Sequence, residues 1–176
     1  MLEALRADLP SFPDDVLIDW LLPYAKSEGW PPQLDTNGLV KGRWRYLLAG
    51  RPLAFYQGLR WSLETGRIAP KDLAKTEIPK IAGMVRGALG EKNIYSASIP
   101  NLGERIGSVS TFVAKTGRLP GTPTLIELSD GFRILDGNHR MAVYFLLMGD
   151  CGAPPAAMQF IPIEEEQSFW IGRLQC

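Results

Sequence analysis

The chain has one histidine, His139, and two cysteines, Cys151 and Cys176, among its 176 residues. One histidine cannot build a histidine-rich metal centre, and two cysteines without CxxC spacing make neither a zinc site nor a disulfide framework. Reduced thiols in a cytoplasmic protein are the expectation. Net charge is also missing, because nineteen basic side chains are matched by nineteen acidic ones. No overall field therefore draws the chain to nucleic acid or to an acidic membrane, and any such role must rest on a local patch. The chain contains no run of eighteen apolar residues, and its first eight residues carry acids without a long apolar core. Neither a membrane span nor a signal peptide is expected. Internal repeats and low-complexity segments are absent too. What is present is 45% hydrophobic content, enough for one substantial core and one or two domains.

Proline and glycine punctuate the first half. Ser11-Phe12-Pro13-Asp14-Asp15 offers capping groups, and Val16, Leu17, Trp20 and Leu21 recur at helical spacing. This predicts one short helix ending at Pro23 and the Gly29-Trp30-Pro31-Pro32 break. From Gly42 to Leu63 the pattern is again helical, as two helices or one kinked at Pro52. A fresh start at Ala69-Pro70-Lys71-Asp72 and a helix from Ile78 to Leu89, closed by Gly90, complete a helical region over residues 1–92. Glu64, Asp72, Glu77 and Glu91 read as solvated helix charges.

The second half, 93–176, reads as α+β. Ile94 to Pro100 alternates weakly like a strand, and Ile106 to Thr116 is a short helix stopped by Gly117. Thr124–Leu128 and Phe132–Leu135 are two strands joined by Ser129-Asp130-Gly131, which predicts a hairpin. A helix from about Asn138 to Leu147 follows, and Ala157–Ile163 is expected as a last strand. Glu164-Glu165-Glu166 reads as a solvated turn.

Between the second hairpin strand and that helix lies Asp136-Gly137-Asn138-His139-Arg140. A strand that turns into a helix leaves unpaired N–H groups and a positive dipole end, a natural anion seat. Gly137 allows close backbone approach, and Arg140 has a planar fork suited to phosphate. Asp136 either closes the turn or holds a metal through water. Asn138 caps the helix or bonds a phosphate oxygen.

The helix ending Gly117-Arg118-Leu119-Pro120, the strand containing Pro123-Thr124-Leu125-Ile126, the second strand and Leu135-Asp136-Gly137-Asn138-His139-Arg140-Met141-Ala142 together resemble the ParB/sulfiredoxin superfamily. The resemblance spans approximately Ile94 to Ile163. It implies a small mixed sheet with helices that binds a nucleotide, ATP in sulfiredoxins and CTP in partition proteins. Gly137, Asn138, His139 and Arg140 would then contact phosphates. Arg105 would clamp a second phosphate, and Glu104 would orient water or help hold Mg²⁺. Asn138 stands where sulfiredoxins carry their nucleophilic cysteine, so sulfinic acid reduction is not expected. The chain ends soon after this core, without a helix-turn-helix, so chromosome partitioning is not expected either. The stand-alone relatives remain, and they suggest an ATPase-like phosphohydrolase or phosphotransferase, or a ParB-like nuclease acting on DNA. Small plasmid proteins that inhibit conjugative DNA transfer belong to that group. In this reading His139, Arg140 and Glu104 are catalytic, with ATP or another nucleoside triphosphate and Mg²⁺ as partners.

A different class is also open. Lys41, Arg43, Arg45, Arg51 and Arg60 lie in a stretch without acids between Asp35 and Glu64, interleaved with Trp44, Tyr46, Phe55, Tyr56 and Trp61. That mixture suits a non-catalytic module for single-stranded nucleic acid or a protein partner; equally, it suits helices with a buried apolar face and solvated arginines.

Overall fold

The computed structural model describes residues 1–175, and Cys176 lies outside the described residues. The elements are α1 (Leu2–Asp8), α2 (Asp14–Val16), a π-helical turn (Leu17–Leu21), α3 (Leu22–Glu28), α4 (Gly42–Leu47), α5 (Leu53–Gln57) and β1 (Leu59–Gly66). After a 3-10 turn (Pro70–Asp72) come α6 (Glu77–Ala88), α7 (Ile94–Ser98), α8 (Leu102–Thr116), β2 (Thr124–Leu128), β3 (Gly131–Asp136) and α9 (Asn138–Leu147). A second 3-10 turn (Ala156–Met158) precedes β4 (Gln167–Leu174). The fold is α+β, with a four-stranded sheet in the order β1-β4-β2-β3. Among the described residues no helix is long and apolar enough to cross a membrane.

By packing, the chain forms two units, residues 1–62 with the stretch from Trp170 onward, and residues 63–169. The expected division at 92/93 differs from this because α6 packs on α9 and α7 packs on α6. Helix α6, with Ile81, Met84 and Val85 buried, falls with α9 in the second unit.

In the first unit the helix does not stop at Pro23. Leu22 N–H bonds back to Leu17 O in the wider π turn, which carries the chain past a residue that has no N–H to give, and the helix runs on to Gly29. Leu17, Trp20, Leu21 and Ala25 are buried along it, and Leu5 of α1 is buried too. The expected helix to Leu63 is also corrected, since α5 ends at Gly58 and Leu59–Gly66 is a strand. Trp61 lies across Gly172 of β4, where an added Cβ would sit 3.0 Å from the indole. That long-range fit overrides local helical spacing.

In the second unit β2 and β3 form the expected antiparallel hairpin, from Leu128 opposite Gly131 to Thr124 opposite Asp136. Gly131 is held at φ +121, and a Cβ there would lie 2.7 Å from Asp72 O. Ala74 N–H bonds to Phe132 O at 2.8 Å, covering the outer edge of β3. Helix α9 is buried through Met141, Val143, Tyr144, Phe145 and Leu146.

Two expected strands are not strands. Ile94–Ser98 is helical because Asn93 accepts from Tyr95 N–H and Ser96 N–H, both at 3.0 Å, while Ser96 Oγ accepts from Asn93 N–H at 2.9 Å. Ala157–Ile163 holds part of a 3-10 turn followed by irregular chain, with Pro155 and Pro162 unable to donate to a ladder. The last strand lies further on, at Gln167–Leu174.

Of the charges read as solvated, Glu77 is buried, while Glu91, Glu164 and Glu165 are exposed and form surface ion pairs. Glu77 is only 2% exposed, accepts from Ile134 N–H at 3.3 Å and is paired with Lys80 and, at 3.8 Å, Arg133. Burial pulls the Lys80 ammonium below its usual pKa while Glu77 opposes that shift. Asp72 accepts from Ala69 N–H at 2.8 Å, and Glu91 pairs with Arg86 at 3.1 Å. Glu164 pairs with Arg118 at 2.8 Å, and Glu165 with Arg67 at 2.6 Å.

Candidate functional site

The turn between β3 and α9 is built around two requirements at Gly137. Its φ is +89, and an added Cβ would lie 2.9 Å from Arg140 Nε and 3.0 Å from Pro123 Cβ. Only glycine meets both the backbone and the space. As the N-cap of α9, Gly137 offers no side chain to the first-turn N–H groups.

Arg140 folds back across this turn. It donates through Nη2 to Asp136 and through Nη1 to Pro120 O at 3.1 Å, and its side chain is only 15% exposed. Gly121, at φ +69, makes room for it, since a Cβ there would approach Nη1 to 2.9 Å. One guanidinium thus ties the end of β3, the start of α9 and the Pro120–Gly121 loop. Its first duty is to fix the turn. The Leu119-Pro120-Gly121-Thr122-Pro123 stretch carries that signal in the sequence, as a glycine between two prolines.

His139 stands on the next step of the helix, half-buried, with Nε2 enclosed and without a partner. Burial holds the imidazole below its ordinary pKa, and the charges of Arg105 and then Arg140 push the same way. Asn138 Oδ1 is likewise enclosed without a partner. Arg105 comes from the first turn of α8, is exposed, and forms no ion pair among the described residues. Asn138, His139 and Arg140 thus follow Gly137 in the first turn of α9, and Arg105 of α8 is near enough for its charge to act on His139. Glu104 is exposed and is not among the charges that act on His139. Asp136 is bound by Arg140, and no group of three His, Cys, Asp or Glu among the described residues is disposed to hold a metal.

No family model, no curated protein and no solved structure matches this chain. Its chemistry has to be read from its own geometry.

The basic segment of the first unit is arranged differently. Arg43 lies 4.8 Å over the Tyr24 ring and 3.7 Å from Glu28, and Arg51 lies 4.3 Å over the Phe55 ring. Lys41, Arg45 and Arg60 are exposed. The aromatics face inward: Trp44 is 3% exposed and donates to Gly29 O at 3.0 Å, and buried Tyr56 donates to Leu48 O at 2.7 Å. Trp61 packs on Phe12 with centroids 4.7 Å apart. Tyr46 is exposed, so a row of free stacking rings is not formed by these five residues.

Proposed function

We propose that the β3–α9 turn binds the phosphates of a nucleotide, and that the protein is a phosphohydrolase or phosphotransferase of the ParB/sulfiredoxin kind. The observation that carries this reading is the charge of Arg105, from a separate helix and without an ion pair among the described residues, acting together with Arg140 on His139 at the start of α9. Two cationic groups, the positive dipole end of α9 and an imidazole kept neutral form an environment short of one anion. Arg140 holds the turn and lends charge, while Arg105 meets the phosphate directly. A neutral imidazole is suited to accept a proton, so His139 takes one from water as the water oxygen bonds the terminal phosphorus and the bridging P–O bond breaks. The carboxylates present do not make a seat for Mg²⁺, which would arrive bound to the nucleotide phosphates.

ATP or another nucleoside triphosphate is the substrate class, in a cytoplasmic setting. The same phosphate chemistry extends to DNA phosphodiesters, and with it to a nuclease role in limiting plasmid transfer. The experiment is titration with ATP, ADP, CTP and GTP, with turnover, for native protein and Arg105→Ala. Native binding weakened about tenfold by the substitution, at unchanged melting temperature, is expected. Equal affinity in both proteins overturns the reading.

A non-catalytic binding role for residues 41–61 rests on Lys41, Arg45 and Tyr46, which are exposed on or beside α4. Single-stranded DNA binding that weakens with salt and is lost in Lys41→Ala/Arg45→Ala tests it.

A further inference from the structure

On the face of α8 turned away from Arg105, a cavity of about 500 Å³ lies between that helix, the end of α6 and the 157–161 segment. Arg105 and Gly107 are about 200° apart around the helix, so this is not the phosphate turn. Its walls are apolar, with Leu89, Met158 and Ile161 on two sides. A volume of this size suits a small molecule. Leu89 is half-exposed, so apolar surface here is not covered by the protein itself.

The floor contains Gly103 and Gly107 inside the 15-residue helix. Glycine there destabilises a helix relative to alanine. Neither has a positive φ, a Cβ on Gly107 would meet nothing within 4 Å, and one on Gly103 would meet Ala88 O at an ordinary 3.8 Å. Neither backbone strain nor packing calls for glycine. What the two residues supply is room above the helix.

One charged side chain, Lys115, lines the cavity, and among the described residues it has no ion pair. Thr111 lies one turn earlier on the same side, with no hydrogen bond to its hydroxyl. Lys115 also sits in the last turn of α8, where the helix dipole favours a cation, yet nothing in that turn pairs with its ammonium. From Gly103 to Lys115 the helix spans about 18 Å at 1.5 Å per residue. We propose that this groove binds an amphiphilic organic anion, with an apolar chain lying over Gly103 and Gly107 and a carboxylate held by Lys115 and Thr111.

The test is calorimetric titration of the full chain with decanoate, set against decyltrimethylammonium, for native protein, Lys115→Gln and Gly107→Leu. A Cβ at position 107 meets nothing within 4 Å, so Gly107→Leu projects into open groove, and thermal melts monitored by circular dichroism check that it folds. Decanoate binding that is weakened about tenfold by Lys115→Gln and abolished by Gly107→Leu supports the assignment. No decanoate binding to native protein, equal binding of decyltrimethylammonium, or undiminished binding to Gly107→Leu overturns it. A native dimer that Gly107→Leu dissociates, seen by light scattering, also overturns it, since a second copy would then cover the face.

Discussion

The β3–α9 turn and the 41–61 segment both set arginine among apolar residues, and the structure uses the two mixtures in different ways. Around Gly137, polar groups from α8, β3 and α9 converge while His139 Nε2 and Asn138 Oδ1 remain without partners. Around Trp44 the rings are in the core, the Trp44 indole and Tyr56 phenol hydrogen bonds are made, Arg51 Nε and Trp61 Nε1 are enclosed without partners, and Arg43 and Arg51 lie over aromatic faces. Unmet polar atoms occur in both regions, and what sets the turn apart is the charge of Arg105 and Arg140 acting on His139. Arginines stacked on rings at the edge of a core point to packing.

The largest expected effect breaks the second half of that contrast. Trp44→Ala should cost about 3–5 kcal/mol in urea unfolding, as for other buried aromatics, whereas exposed Tyr46→Ala should stay within about 0.5 kcal/mol. Equal small losses would mean that Trp44 is not a core residue. Next comes Gly137→Ala, which meets both a positive φ and the Arg140 side chain; about 2–4 kcal/mol is expected from the same measurement. Arg140→Ala removes two hydrogen bonds and leaves Asp136 without that guanidinium, a loss of about 1–3 kcal/mol at a partly exposed position. If Arg140→Ala leaves unfolding unchanged, the strut across the turn is not formed.

Much of this was legible in the sequence, and the exceptions have a common cause. The hairpin and α9 could be read locally, because alternation ends at Asp130-Gly131 and a dense apolar run follows Asn138. The strand-turn-helix at Gly137 was legible for the same reason. Strand β1 was not, because its pairing depends on Trp61 meeting Gly172, more than a hundred residues away. Glu77 looked like a solvated helix charge because Lys80, Arg133 and the Ile134 N–H that satisfy it come together only in the fold. Helix α7 carries a local signal that was overlooked, the Asn93–Ser96 capping box. Arg140 as a strut needed Pro120 O and Gly121, which lie in a loop whose path the sequence does not fix.

The smallest effect concerns pH and sharpens the first half of the contrast. His139 has a folded pKa below its unfolded value, so between the two the unfolded chain binds more protons. Its contribution is complete above about pH 6.5 and is lost as pH falls toward the folded pKa. Native protein should therefore lose stability on acidification below about pH 6.5, and His139→Gln should lose less. Identical slopes would mean that the imidazole is not held neutral by its surroundings.

Because His139 is the chain's single histidine, its imidazole gives one resonance pair, and an NMR pH titration with and without saturating ATP reads the turn directly. Free protein should titrate below the ordinary histidine value, and bound phosphate, by offsetting Arg105 and Arg140, should move that midpoint upward. Superimposable titration curves would place the nucleotide elsewhere or nowhere on this protein.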